Sequence, residues 1–115
     1  MTKIYTKDFH ELRTLIKLGW DDSFNQNLWR ILEVKSRHVP DYMTSLDDIL
    51  RALNSEFPDY MVEALINDPD MPKTFYIQMC HKVKWAQRIN ASGPSFAIAG
   101  CNLMLEMLEM KLNAN

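Results

Sequence analysis

Residues 81–88 read HKVKWAQR, a tryptophan set among cations, and this run bears more chemical potential than any other in the chain. Placed on a helix, Ile77, His81, Lys84, Trp85 and Arg88 share one face, opposite an apolar face of Phe75, Tyr76, Met79, Cys80, Val83 and Ala86. A tryptophan flanked by cations can anchor in a pocket of a protein partner or stack on a nucleobase. It can also lie against a neighbouring helix, with lysine and arginine stems covering its edge.

Charge separates these uses. From Asp41 to Asp70 there are eight acids (Asp41, Asp47, Asp48, Glu56, Asp59, Glu63, Asp68, Asp70) and one base, Arg51. From Lys73 to Asn90 there are four bases (Lys73, Lys82, Lys84, Arg88) and no acid, so the net charge of −2 conceals a strong asymmetry. The acidic block would repel phosphate, which disfavours nucleic acid as the partner of the Trp85 face. The block reads first as a solvated face; used electrostatically, it steers a basic partner or imitates a phosphate-bearing surface, with Asp47 and Asp48 as candidate binding residues.

Covalent and metal chemistry find little support. His10, His38 and His81 are far apart, and none sits at i, i+4 to another ligand type on a common face, so zinc is not expected. Cys80 and His81 are adjacent and would point about 100° apart on a helix, which does not make a nucleophile–base pair. The run NDPDMPK lacks the glycine and the later glutamate of a calcium loop. No enzyme activity and no cofactor are expected.

The elements that must position these residues read as helices. Asp8 caps a first helix to Leu18, with Glu11 completing a capping-box pair and Gly19 in the left-handed stop position. A second runs from Asp21 to about Arg37 and ends at Val39-Pro40. A third follows Thr44 or Ser45, and Pro58 opens a fourth that carries Met61, Val62, Leu65 and Ile66. The fifth spans Lys73 to Asn90. NASGP then supplies a stop, a turn and a capping serine before a sixth helix, Ser95 to Leu112. Two short helices in succession suggest a helix-turn-helix, but the second would carry Asp59 and Glu63 and no cation, so that reading is rejected.

The last helix is apolar nearly all round, its polar side chains Asn102, Glu106, Glu109 and Asn113 forming a narrow stripe. It is therefore either the centre of the core or half of a homodimer seam built by Leu103, Met107 and Met110. Asn102 and Glu106 interrupt it too early for a membrane span. The start has no apolar run for a signal peptide, so a reducing cytoplasm and two reduced, buried cysteines, Cys80 and Cys101, are expected.

The expectation is thus one all-α domain over 1–115: a compact bundle of five to six helices ending in an antiparallel helical hairpin. Its expected function is that of a small non-enzymatic protein-binding module, such as an inhibitor, an immunity-type protein, an adaptor or a phage or mobile-element host-takeover protein. A nucleic-acid-binding or regulatory role through the basic Trp85 face is the alternative.

Overall fold

Gly19 stops the first helix as its position suggests. It sits at φ +70°, its N–H donates to the Ile16 carbonyl, and the Trp20 N–H reaches back to Leu15. These are the two hydrogen bonds of a glycine-terminated helix end. The computed structural model describes residues 6–114. It contains α1 (Thr6–Leu18), α2 (Asp21–Ile31), α3 (Leu46–Glu56), β1 (Tyr60–Asn67), β2 (Phe75–His81), β3 (Arg88–Gly93) and α4 (Phe96–Asn113).

The caps of α3 and α4 follow the sequence rules. Ser45 Oγ accepts from the Asp48 N–H, and Ser95 Oγ from the Ile98 N–H. By contrast α2 ends at Ile31, about six residues before the expected stop. Two side chains compete for its last turn. Lys35 Nζ donates to the carbonyls of Trp29, Arg30 and Leu32, and the Glu56 carboxylate accepts the N–H groups of Glu33 and Val34 at 3.0 and 3.2 Å. With those backbone groups satisfied elsewhere, the helix has nothing to gain by continuing.

The all-α expectation fails between Tyr60 and Gly93. The expected fourth helix is β1, and the expected fifth is β2, a turn and β3, so no C-terminal helical hairpin exists. The fold is mixed α/β, with four helices and an antiparallel sheet in the order β1-β2-β3 among the described residues. A bulge explains the error in β1. Val62 pairs with Met79 and Leu65 with Ile77, so an extra residue, Glu63, sits between two positions on the same face. The strand period of two becomes a step of three there, which imitates helical spacing. In β2 the core positions are Ile77 and Met79, both wholly buried, with Tyr76, Gln78 and Cys80 on the other face. Arg88-Ile89-Asn90-Ala91-Ser92 of β3 alternates in the same way.

The α4 helix occupies the centre. It packs on β2 and β3 with one side, and on α1 and α3 with others. Leu103, Met104, Leu105 and Leu108 are all fully buried, joining Phe9, Phe24, Ile49 and Leu53 of the other helices to Ile77 and Met79 of the sheet. This bears out the central-core alternative for the apolar helix. Small residues set its approach: a Cβ on Gly100 would lie 2.8 Å from Ile49 Cγ2, and one on Gly93 would lie 2.8 Å from the Ala99 nitrogen.

Tyr42 is buried beneath α3, and its carbonyl accepts from the Cys101 thiol at 3.3 Å. Desolvation, aided by the nearby Asp48 carboxylate, pushes the Tyr42 phenol up to about 12 from 10.0. The unfolded chain therefore releases this proton first. The stability tied to neutral Tyr42 is intact below pH 10 and is lost as pH rises toward 12, by about 2–3 kcal/mol. Denaturant titrations at pH 9 and pH 11.5 should show a loss that includes most of this share, with the buried Cys101 thiol adding its own, and Tyr42→Phe should remove the Tyr42 part.

Candidate protein-docking surface

The turn between β2 and β3 is held from several sides. The His81 N–H donates to the Gln87 carbonyl at 3.0 Å, and the Gln87 N–H to Lys84 at 2.8 Å. Inside the turn, His81 Nδ1 accepts from the N–H groups of both Val83 and Lys84, at 3.1 and 3.0 Å. From outside, the Lys82 N–H donates to the Asp59 carbonyl, and the Tyr60 ring stands edge-on to the His81 imidazole at 5.1 Å. The imidazole Nδ1 thus does for this loop what a capping side chain does for a helix.

What the loop displays is apolar and basic. Val83 is 78% exposed and Trp85 71%, with Lys82 and Lys84 also in solvent. A large aromatic on a braced loop has surrendered much of its freedom before any partner arrives, which favours tight docking. Of the eleven large hydrophobic residues left exposed among the described residues, six belong to the sheet and its two turns: Met61, Leu65, Ile66, Met71, Val83 and Trp85. More than half of these residues thus belong to the sheet and its turns, spread over both faces and both ends.

The expected site residues divide. Lys84 and Trp85 lie together at the turn, on a loop rather than a helix. His81 is half-buried beneath them as their support. Ile77 faces the core and is wholly buried. Arg88 is engaged by Glu63, its Nε donating to both carboxylate oxygens at 3.1 and 2.9 Å, while Gln78 Nε2 donates to the same carboxylate at 3.0 Å. That partnership, Arg88 first and Gln78 second, holds Glu63 below its usual carboxylate range and raises Arg88. Asp47 and Asp48 belong to the first turn of α3, where Asp48 accepts from the Asp41 N–H and pairs with Arg51. They are not part of the loop constellation. Of the residues expected to form a dimer seam, Leu103 and Met107 lie in the core, and only Met110 is exposed. It borders a cleft of about 370 Å³ with Phe57, Tyr60, Ile89 and Lys111.

Sequence reasoning missed Met61, Leu65, Ile66 and Val83. The alternation in RINASG was the available signal: once β3 is a strand, the run before it must turn and pair.

Among the described residues no three His, Cys, Asp or Glu side chains converge as a metal site, and no helix is long and apolar enough to cross a membrane. Both cysteines are free thiols, and burial raises Cys101 far above its ordinary value. No protein-family model, curated protein or solved structure matches the chain.

Proposed function

We propose that the chain is a small non-enzymatic protein-binding module, of the inhibitor, immunity-type, adaptor or host-takeover kind, that docks through the β2–β3 loop. Trp85 enters a pocket on the partner, Val83 widens the apolar contact, and Lys82 and Lys84 pair with acids at its rim. The observation that carries this reading is the exposure of Trp85 on a loop braced by His81, Asp59 and Tyr60. Two free, buried thiols suit a reducing compartment, and the cytoplasm is the proposed location. An oligonucleotide partner is less well served, because Glu63 occupies Arg88 and leaves the two loop lysines beside an acidic segment.

Affinity capture with the wild-type protein, followed by titration of the recovered partner, tests the proposal. Trp85→Ala should weaken binding by about thirtyfold or more, as anchor truncations costing about 2 kcal/mol do. The same change should leave the denaturation midpoint nearly unmoved, since the ring contributes no core contact. His81→Ala should also weaken binding, by loosening the loop. A partner held equally well by Trp85→Ala would sink this reading.

A further inference from the structure

The two edges of the sheet differ. On β3, Ser92 directs its carbonyl outward, and Asn102 Nδ2 from α4 donates to it at 2.9 Å. That acceptor is covered by the central helix. The β1 edge has no such cover among the described residues: its ladder partner is β2 alone.

Alternation along the ladder shows which groups are open. The Asp68 N–H donates to Thr74 and the Lys82 N–H to Asp59, which fixes the hydrogen-bonded pairs at either end of β1. The intervening antiparallel pattern then leaves the N–H and C=O of Val62, Leu65 and Asn67 aimed away from β2. Apolar side chains flank this row on both faces. Met61 and Ile66 are each 48% exposed on the face away from α4, and Leu65 is 44% exposed on the other. The single charge within the strand, Glu63, is drawn across the sheet to Gln78 and Arg88 and away from the edge. Edge strands ordinarily carry a lysine, a proline or an inward charge that repels another strand. β1 has only its bulge.

We propose that β1 accepts an extended segment of another protein as a fourth strand. The segment is apolar on both faces and carries lysine or arginine at its ends. Charge selects that occupant. Asp59 stands at one end of β1, Asp68 and Asp70 at the other, and no base lies between Ala52 and Pro72. A second copy of this chain would align carboxylates against carboxylates at both ends of an antiparallel pair, whereas a basic-ended strand meets its complement. The inference shares with the proposed function only the premise of a protein partner. It uses a different surface, so Trp85→Ala leaves it untouched.

The probe is a valine–threonine peptide with paired lysines at each end, and the control is the same peptide ended by glutamates. Amide exchange is followed by NMR on the full chain. With the lysine peptide, exchange at Val62, Leu65 and Asn67 should slow at least tenfold, while the glutamate peptide leaves it unchanged. Methylating alternate peptide nitrogens on the probe should abolish the effect in one phase of the alternation and spare it in the other. Leu65→Pro, which removes an outward N–H unused by the β1–β2 ladder, should weaken peptide binding at least tenfold. The methylated probes give the same answer should that variant fold poorly. Equal response to both peptides, or no slowing at millimolar lysine peptide, overturns the proposal. A concentration-dependent dimer abolished by Leu65→Pro overturns it too, and assigns the edge to self-association.

Discussion

Met107→Glu should unfold the protein, while Met110→Glu, one helical turn further on, should be nearly silent. Met107 is 2% exposed and belongs to the central hydrophobic cluster, whereas Met110 is 46% exposed beside the cleft. A carboxylate forced into the first position must either stay charged without a partner or take up a proton at neutral pH. Breaking a core in this way costs about 3–5 kcal/mol, much of the total stability of a small domain. Surface changes usually stay within about 0.5 kcal/mol. Circular dichroism and a denaturant midpoint on both variants make the comparison. If Met107→Glu instead yields a folded monomer from a wild-type dimer, α4 is an interface and not the core.

Glu56→Ala should be nearly as damaging, for a different reason. Glu56 is 8% exposed at the last residue of α3, and its two oxygens hold the N–H groups of Glu33 and Val34 just past the end of α2. Together with Lys35, this side chain sets the start of the segment that leads to Tyr42 and α3. Its loss leaves two backbone donors without their acceptor and removes a charge-assisted pair of bonds, about 3 kcal/mol in all. Glu56→Gln keeps one accepting oxygen and should recover roughly half of that. A thermal melt reads the order wild type, Gln, Ala. Equal stability of the two variants would mean that water replaces the carboxylate.

The parts of the fold that the sequence made legible are those governed by local chemistry. Gly19, Ser45 and Ser95 mark helix ends because each supplies a backbone angle or an acceptor that the adjoining turn needs, and the long apolar tract of α4 has no other use than burial. The sheet was hidden by coincidence. Val62 and Leu65 are three apart because Glu63 bulges out of register, and Phe75, Tyr76, Met79 and Cys80 fit a helix as well as they fit the two faces of a strand. Position therefore came out better than geometry for the candidate site. Trp85 and Lys84 do stand together in solvent, although on a turn. Ile77, seven residues behind on an imagined helix face, belongs to the interior of a strand. Arg88 could not be assigned from sequence at all, because its acceptor Glu63 is twenty-five residues away and meets it only across the sheet.

The hydrogen bond from Asn102 to Ser92 has a further consequence for solubility. A three-stranded sheet with two bare borders could stack end to end, the last strand of one molecule annealing to the first strand of the next, and so grow into a filament. Asn102 obstructs that growth at one point of the β3 border, because a strand laid along it must first displace the amide from the Ser92 carbonyl. A head-to-tail filament therefore gives up at each junction a bond that an addition at β1 alone does not have to break.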